Sequence, residues 1–262
     1  MQKNQGILVV SFGTSYPGTC AKTIDRMENE IRQRYPELPV YRAWTSGTIR
    51  KKLEKRDGIH IPGVEESLEK MEQDGIQKVF VQPTFVLNGI EYDRMKETAE
   101  SFRSGFLSLT IGAPLLSSTN DSRELVQMLE EEWNPSDDEM VFFMGHGTEH
   151  DADFVYAALN FQFLYTGYEN MAVGTVEGYP EITDLLSIAK KRKARKVFLA
   201  PLMMVAGDHA IHDLAGDDEN SWKSLFTKEG YEVECVLKGL GEYPKVRELL
   251  IHHLEKIMIQ SV

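Results

Sequence analysis

The sequence predicts an α/β protein made of two similar flavodoxin-like lobes, each a parallel sheet with helices on both faces. Three observations lead to this fold class. Short apolar segments, rich in β-branched and aromatic residues, alternate with longer segments of helical periodicity. Several apolar segments end in a glycine-containing turn, which is typical of strands that deliver side chains to the carboxyl edge of a parallel sheet. Part of the pattern then recurs later in the chain.

The first half of the chain alternates between strand and helix patterns. Apolar residues such as Ile24, Met27 and Ile31 recur at steps of three and four, which indicates the inward face of a helix. The basic segment 50–56 is interpreted as a solvated helix face, with a rim that faces an anion as the functional alternative. Strands are expected at residues 7–10, 40–44, 78–86 and 107–111, and helices at 19–35, 49–56, 64–74, 94–102 and 121–132.

The second half repeats this plan. Strands are expected at residues 140–144, 171–176 and 232–237 and from residue 196 onward. A loop and a helix are expected to cover residues 151–165, and further helices are expected at 182–190 and 246–259. Between the halves, residues 134–138 are polar and include Pro135, which is typical of a linker. We therefore expect an N-terminal lobe at residues 1–135 and a C-terminal lobe at residues 136–262.

An internal duplication supports the two-lobe prediction. Segments 78–93 and 196–213 share Lys-Val-Phe and, at the same offset of 118 residues, a proline and a glycine six residues apart. At this offset Glu91 corresponds to His209. The Phe-Gly-Thr after the first strand likewise corresponds to the His-Gly-Thr that begins at His146. Two such lobes are expected to point their strand ends at a common cleft, where ligands bind in this architecture.

Composition and charge exclude several classes of protein. With 262 residues, 42% hydrophobic and 27% charged, the chain has the composition of an ordinary globular protein. It has no apolar run of the ~20 residues that a membrane span needs and no signal-peptide pattern, so a cytoplasmic location is expected. A net charge of −12 argues against nucleic acid or an anionic membrane as the main partner. The two cysteines form neither a zinc motif nor a disulfide framework.

Histidines at two predicted strand ends are the first candidate metal ligands. His146 lies between two glycines and therefore has little steric cover, and His209 follows a strand that breaks at a glycine. Imidazole is a common ligand of transition metals and titrates near pH 6.5, so it can also accept a proton. We expect these two rings to face each other and to bind a divalent metal ion.

Two glutamates stand at further strand ends. Glu91 and Glu177 each lie beside a glycine. Two imidazoles and one carboxylate suit a borderline ion such as Co²⁺, Fe²⁺, Ni²⁺ or Zn²⁺ and leave coordination positions open. Asp208 is expected to orient one of the imidazoles. The remaining histidines are expected to be surface or supporting residues: His60, His150, His212, His252 and His253.

Other catalytic motifs are absent from the sequence. It has no GxxxxGK[ST] loop, so no nucleotide is expected, and no GxSxG nucleophile elbow. Aromatic residues near the predicted strand ends are candidates either for the wall around a flat ligand or for the core. They are Trp44, Tyr92, Phe154, Tyr156 and Tyr179.

Six motifs give the sequence a resemblance to a known enzyme family. They are SFGTS from Ser11, AWTSGTIRKKL from Ala43, NGIEY from Asn88, GHGT from Gly145, TVEGYP from Thr175 and PLMMVAGDHAIHDLAGD from Pro201. In this order, over nearly the whole chain, they resemble the class II cobalt chelatases of anaerobic cobalamin synthesis, which are related to ferrochelatase. The TVEGYP and VAGDHA segments are the most specific.

The resemblance implies a fold, an activity and a set of site residues. It implies two flavodoxin-like lobes with a cleft between them, and a lyase that inserts Co²⁺ into sirohydrochlorin without ATP. It implies His146, Glu177 and His209, all in the C-terminal lobe, as ligands of the substrate metal. His146 and His209 are implied as catalytic groups as well, with His146 accepting protons from the tetrapyrrole. The resemblance also implies Glu91 as the third catalytic residue, as an acid–base or metal-guiding group.

Two positions depart from the pattern of the resembled family. His212 stands where relatives carry Asn, and Phe85 where some relatives carry His. These departures bear on metal preference and on access to the cleft. Because the tetrapyrrole carries many carboxylates, we expect Arg50, Lys51 or Arg94, or helix N-termini, to compensate the negative charge of the chain.

Three alternative functions stay open at this point. The first is an iron or nickel chelatase that uses the same site on a related tetrapyrrole. The second is a non-enzymatic haem or tetrapyrrole carrier with His146 or His209 as the axial ligand. The third is a metal-dependent hydrolase, although the sequence lacks the second acidic cluster of a two-metal site. The sequence favours neither nucleic acid nor a membrane as partner, and it leaves homo-oligomer formation open.

Overall fold

The computed structural model describes residues 4–260 of the chain. Internal contacts divide the chain into two compact units. The first consists of the residues before Ser118 together with those from Gly241 onward, and the second is Ser118–Leu240. The helix Thr119–Trp133, which the sequence assigned to the N-terminal lobe, falls in the second unit. The helix Pro244–Gln260, assigned to the C-terminal lobe, falls in the first unit. The lobe boundary between residues 135 and 136 stays a prediction.

The first unit is built on a four-stranded parallel sheet. Its strands are β1 (Gln5–Ser11), β2 (Val40–Trp44), β3 (Lys78–Pro83) and β4 (Ser108–Ile111), in the order β2-β1-β3-β4. Its helices before Ser118 are α1 (Pro17–Lys22), α2 (Ile24–Arg34), α3 (Gly47–Asp57), α4 (Val64–Gln73) and α5 (Ile90–Ser101). Side chains such as Leu8, Val79 and Leu68 are fully buried and form the core between the sheet and its helices.

The second unit repeats this architecture. Its strands are β5 (Glu139–Gly145), β6 (Met171–Thr175), β7 (Lys196–Pro201) and β8 (Glu232–Cys235), in the order β6-β5-β7-β8. Its helices are α6 (Thr119–Trp133), α7 (Phe154–Thr166), α8 (Ile182–Arg192) and α9 (Trp222–Lys228), and a π-helical turn covers Ala210–Leu214. Phe142, Val197 and Phe226 are fully buried in its core.

The strands of the two sheets also pair in the same register. Gln5 lies opposite Lys78 at the start of the β1–β3 pair. Glu139 lies opposite Lys196 at the start of the β5–β7 pair. Both sheets are parallel throughout and have the same strand order. The predicted fold class, two similar parallel α/β lobes, is therefore confirmed.

The last helix, α10 (Pro244–Gln260), returns to the first unit. Arg247 of α10 is almost buried, and its Nε donates to Glu30 Oε2 of α2 at 2.9 Å. Its Nη1 donates to the carbonyl oxygen of Gly241 at 2.8 Å. A buried guanidinium needs such partners because an unpaired charge in the interior is costly. This polar contact fixes α10 to helix α2 of the first unit.

Some element boundaries differ from the sequence-based expectations. The helix expected at residues 19–35 is two helices, because Thr23 takes a non-helical backbone conformation and its Oγ1 donates to the Thr19 carbonyl at 2.7 Å. Helix α9 was not expected from the sequence at all. No helix among residues 4–260 combines the length and the apolar character needed to cross a bilayer.

Candidate metal centre

The candidate metal centre lies at the carboxyl edge of the second sheet. His146 directly follows β5, Glu177 comes two residues after β6, and His209 lies in the long loop after β7. Strands β5 and β7 are neighbours, and the chain leaves them towards opposite edges of the sheet. This switch in direction opens a crevice beyond the strand ends, which is the usual ligand position in such sheets.

The three side chains converge on one point. One ligand atom from each of His146, Glu177 and His209 lies within 4.8 Å of the others. The imidazole centroids are 4.7 Å apart, with ring planes at 86°. Ligands bound ~2.0–2.2 Å from a shared ion stand roughly 3–4 Å apart, so small side-chain rotations are enough to bring all three onto a metal. The rings that the sequence predicted to face each other do so.

Hydrogen bonds select the nitrogen that each imidazole offers. Nδ1 of His146 lies 2.9 Å from the carbonyl oxygen of Gly147. Nδ1 of His209 lies 2.7 Å from Asp213 Oδ2. A carbonyl and an ionised carboxylate only accept hydrogen bonds, so Nδ1 carries the proton in the neutral form of both rings. Each Nε2 then keeps its lone pair for a metal ion. The carboxylate of Asp213, rather than that of the expected Asp208, orients His209 in the manner of a carboxylate–histidine–metal triad.

Backbone contacts hold His146 next to Glu177. The Glu177 amide donates to the carbonyl of His146 at 2.9 Å, and the Val176 amide donates to that of Gly145 at 3.1 Å. Gly147 has φ +83°, and a Cβ there would collide with the backbone nitrogen of Gly178. Only glycine combines this conformation with so close an approach. Gly147 is therefore required for close contact between the loop that carries His146 and the loop that carries Glu177. It also leaves His146 exposed.

Asp153 fastens the same two loops together. Its Oδ1 accepts from the Thr148 amide and its Oδ2 from the Tyr179 amide, both at 2.9 Å. A Cβ at Gly178 would collide with this carboxylate. One side chain thus bridges the loop that carries His146 and the loop that carries Glu177. Sequence reasoning missed Asp153, because a single aspartate in a loop gives no local signal.

Tyr156 contacts the loop that carries His146 through its hydroxyl group. Its hydroxyl accepts from the Gly147 amide at 3.4 Å. Burial raises the pKa of Tyr156 to about 12, so the phenol stays protonated at neutral pH. Tyr156 and Trp44 are both 2% exposed and belong to the cores, whereas Phe154 and Tyr179 are 69% and 59% exposed. Of these four aromatic residues, only the last two are accessible to a ligand.

The centre is open to solvent. The side chains of His146 and Glu177 are about half exposed, and that of His209 is 36% exposed. Three protein ligands on an open surface leave coordination positions for water or substrate, unlike the closed tetrahedral cage of a structural zinc site. The geometry therefore suits an ion that is bound and then released.

The first unit carries the same loop framework with different side chains. The Ser46 amide donates to the Phe12 carbonyl at 3.1 Å, and the Thr45 amide donates to that of Ser11 at 3.0 Å. These two backbone hydrogen bonds correspond to those that the Glu177 and Val176 amides donate in the second unit. By this correspondence, Phe12 occupies the position of His146, and Ser46 occupies the position of Glu177. Two of the three ligand positions therefore carry no metal ligand in the first unit.

Glu91, the fourth predicted site residue, belongs to the first unit. It lies in the first turn of α5, and its Oε1 accepts from Arg94 Nη1 at 3.1 Å. A carboxylate is favoured there because the helix N-terminus is partially positive. Its catalytic role stays a prediction.

The other histidines have separate surroundings. His60 Nε2 is 2.6 Å from Glu66, and His212 Nε2 is 4.0 Å from Asp208. His150 Nδ1 accepts from the Ala152 amide at 3.0 Å and so caps a short turn. His253 is buried in α10, and His252 Nε2 is 3.9 Å from a carboxylate oxygen of the same helix. The three-residue clusters found among the described residues include none of these histidines.

Comparison with known proteins gives consistent results. The model of the CbiK cobalt chelatase family matches residues 5–259. A sirohydrochlorin cobaltochelatase of Salmonella typhimurium is 41% identical over 98% of both chains. A cobaltochelatase of Nitratidesulfovibrio vulgaris, named CbiKC, is 32% identical over 95% of this chain and 89% of its own. Among solved structures, SirB of Bacillus subtilis with Fe³⁺ superimposes with a TM-score of 0.66 over 98% of this chain and 97% of its own, at 12% identity, which is a likeness of fold. The chain belongs to the cobalt chelatase (CbiK) family.

Proposed function

We propose that this protein is a sirohydrochlorin cobaltochelatase that inserts Co²⁺ into the tetrapyrrole without consuming a nucleotide. The observation that carries the proposal is the convergence of His146, Glu177 and His209 on one point at an open sheet edge. Membership of the cobalt chelatase family and the names of the relatives support the choice of substrate. The metal ion is a substrate here, so the site must both bind it and give it up.

The residue types suit the chemistry of metal insertion. The ion has to exchange its water ligands for four pyrrole nitrogens, and the two inner N–H protons have to leave. Neutral imidazoles bind Co²⁺ through Nε2 without adding charge, while Glu177 offsets part of the charge of the ion. As the metal passes to the macrocycle, a ligand that has just been released can accept one of the protons, and the other can pass to water at this open site. Removing two protons balances the arrival of one divalent ion.

Each site residue has a proposed role in this scheme. His146, Glu177 and His209 are the ligands, and His146 also accepts a proton from the tetrapyrrole. Asp213 keeps Nδ1 of His209 protonated and its Nε2 free, because the two groups lie 2.7 Å apart. Glu91 is proposed as an acid–base or metal-guiding group, in agreement with its NGIEY motif.

The carboxylates of the substrate need positive partners on a chain of net charge −12. Helix α3 brings Arg50, Lys51 and Lys52 into its first turns, and Ser46 caps its N-terminus by accepting from the Ile49 amide at 3.3 Å. Cationic side chains and the partial positive charge of a helix N-terminus both attract carboxylates. We infer that α3, together with Arg94, supplies part of the attraction for the tetrapyrrole.

A turnover assay with purified protein tests the proposal. Sirohydrochlorin in large excess is mixed with Co²⁺, and metal insertion is followed by the change in the absorbance spectrum. Many equivalents of product per chain, formed without nucleotide, support the chelatase. A reaction that stops at one equivalent would instead identify a carrier. Parallel reactions with Fe²⁺, Ni²⁺ and Zn²⁺ compare the metals that the same donor set accepts.

We infer that the protein works in the cytoplasm and that neither nucleic acid nor a membrane is a partner. The net charge of −12 supports this view because phosphate surfaces are bound by clustered cations. Fractionation of cell extracts, with detection of the protein in the supernatant after membrane sedimentation, tests the location.

A further inference from the structure

The loop that carries Glu177 also carries an exposed aromatic ring. Tyr179 comes two residues after Glu177 and is 59% exposed. Among residues 4–260, its side chain makes neither a hydrogen bond nor a contact with another ring. We propose that this ring binds the tetrapyrrole, by packing against one face of the flat macrocycle while the metal ion is transferred. The inference rests on the proposed chelatase function and adds to it a residue that contacts the organic substrate.

Hydrogen bonds hold the backbone around Tyr179 in one conformation. Thr175 Oγ1 accepts from the Gly178 amide and donates to the Pro180 carbonyl, both at 3.1 Å. The Thr175 amide donates to the same carbonyl at 2.7 Å. The Tyr179 amide donates to Asp153 Oδ2 at 2.9 Å. Because the backbone is already fixed, a ligand that packs on the ring does not have to order the loop first, and binding costs less entropy.

The same contacts place Tyr179 next to both loops of the metal centre. Asp153, which accepts from the Tyr179 amide, also accepts from the Thr148 amide, two residues after His146, at 2.9 Å. Two residues span at most ~7 Å of backbone, so Tyr179 stays close to the carboxylate loop as well. A tetrapyrrole takes up the metal through four nitrogens at its centre, so its flat face has to approach the open side of the three ligands. A ring that adjoins two of these ligands is therefore well placed to contact that face.

The loop framework itself does not require an aromatic residue at this position. In the first unit Ser46 occupies the position of Glu177, and Thr48, two residues later, is the counterpart of Tyr179. Thr48 is small, polar and exposed. A ring that is left in water does not stabilise the fold, because the hydrophobic effect acts on apolar surface that is removed from water. The aromatic residue thus belongs to the unit with the metal ligands, and folding does not account for it.

The chemistry of tyrosine suits a flat conjugated ligand with a polar rim. Its ring offers a rigid apolar face that packs on other conjugated rings in an offset or edge-to-face geometry. A tyrosine that stays neutral also adds nothing to the net charge of −12, which repels a ligand with many carboxylates. A hydrated metal ion offers no such face. The contact should therefore act on binding of the tetrapyrrole and leave binding of Co²⁺ unchanged.

The variant Tyr179→Ala tests the proposal. The Kd for metal-free sirohydrochlorin is measured by absorbance titration, and the KM for each substrate by the insertion assay. We expect the Kd and the KM for the tetrapyrrole to rise about 10-fold, with the KM for Co²⁺ unchanged. Tyr179→Phe keeps the ring and should stay within about twofold of wild type. The control Leu107→Ala removes an apolar side chain that is 76% exposed just before β4, and it should behave as wild type.

Three results would overturn the proposal. A folded Tyr179→Ala variant that binds the tetrapyrrole as tightly as wild type would show that the ring makes no contact. Equal losses in Tyr179→Phe and Tyr179→Ala would assign the contact to the hydroxyl group instead of the ring. A raised KM for Co²⁺ would mean that Tyr179 acts by positioning Glu177.

Further measurements keep the test decisive. If Tyr179→Ala does not fold, Tyr179→Leu, which keeps an apolar side chain without a planar ring, replaces it in the same measurements. Failure of the proposed function looks different, because the wild type itself would then bind the tetrapyrrole but form no more than one equivalent of product. In that case the Kd values of the variants still decide whether Tyr179 contacts the macrocycle.

Discussion

The imidazole rings of His146 and His209 stand edge to face with their centroids 4.7 Å apart, although 62 residues of sequence separate them. The two histidines follow neighbouring parallel strands of one sheet, and a third group, Glu177, follows the next strand along. This arrangement places two imidazoles and one carboxylate where they could share an ion.

Replacing His146 or His209 by Ala is expected to abolish cobalt insertion while the fold is kept. Each change removes a proposed metal ligand and should lower turnover by at least about 100-fold. Both side chains are partly exposed, so their loss leaves no buried cavity. The measurements are the absorbance assay for turnover and circular dichroism for the fold. A well-folded variant that still turns over at the wild-type rate would remove that histidine from the site.

Asp213 is expected to act through His209. In Asp213→Ala the imidazole loses the carboxylate that orients it at 2.7 Å, and kcat/KM for Co²⁺ should fall ~10–100-fold. The variant Asp213→Asn keeps a hydrogen-bond acceptor, so its kcat/KM for Co²⁺ should fall less. Asp217→Asn, which removes the same charge from an exposed position of the same loop, is the matched control and should retain full activity. Equal losses in the Ala and Asn variants would argue against an orienting hydrogen bond.

Asp153 is expected to be a positioning residue rather than a purely structural one. In Asp153→Ala the amides of Thr148 and Tyr179 lose their acceptor, so the loops of His146 and Glu177 should move apart. We expect a raised KM for the metal along with a loss of about 1–3 kcal/mol in the free energy of unfolding.

A second aspartate separates these two effects. Asp184 caps helix α8 by accepting from the Glu181 amide at 2.9 Å. Asp184→Ala should cost about 1 kcal/mol of stability but leave the KM for the metal unchanged. If Asp153→Ala and Asp184→Ala change stability alike and both leave KM untouched, Asp153 has no positioning role.

The Glu30–Arg247 pair should make stability depend on pH. Burial of the Glu30 carboxyl opposes ionisation, but hydrogen bonds from Arg247 and Arg26 outweigh it and hold the pKa of Glu30 below its ordinary value. A carboxyl with a depressed folded-state pKa stabilises the protein above its unfolded pKa, ~4.3, and this contribution is lost as the pH falls through the folded-state pKa.

The variant Glu30→Gln isolates this contribution. It leaves the almost buried Arg247 without an anionic partner and should lower the free energy of unfolding by about 2 kcal/mol near neutral pH. The difference from wild type should shrink as the pH is lowered below ~4.3, because wild-type Glu30 also becomes neutral. Urea unfolding of both proteins at several pH values measures this difference in the free energy of unfolding. A difference that stays constant over that range would show that the charge of Glu30 is not responsible.

The two cysteines are expected to be unreactive in the folded protein. Burial, reinforced by the negative charge of Asp25, raises the pKa of the Cys20 thiol to about 12. Burial also raises the pKa of Cys235. Near pH 8 both groups are therefore thiols, and the thiol form is a poor nucleophile. Iodoacetamide should leave the native protein unmodified and active, whereas the urea-unfolded chain should take up two labels. Rapid labelling of native Cys20 would contradict the assigned burial.

The duplicated segments show how far sequence comparison reaches. Aligning the repeats matched Phe12 with His146 and Glu91 with His209, and both lobes have the same strand order and register. The third correspondence, Ser46 with Glu177, is not visible at either offset because the loops differ in length. It becomes evident only from the backbone hydrogen bonds. The Ser46 amide donates to the Phe12 carbonyl at 3.1 Å, and the Glu177 amide donates to the His146 carbonyl at 2.9 Å.

The sequence by itself determined the fold class, the four strand ends of interest and the two histidines that face each other. It could do so because strand periodicity, glycine turns and ligand types are local properties of the chain. Only the tertiary structure decided that Asp213 rather than Asp208 orients His209, that Asp153 joins two loops, and that α7 is exposed on its apolar face. Asp213 contacts His209 because of the turn that the folded backbone makes between them, Asp153 joins two separate loops, and the exposure of α7 depends on what packs against it. The packing of the whole unit sets these features, and the order of neighbouring residues does not reveal them.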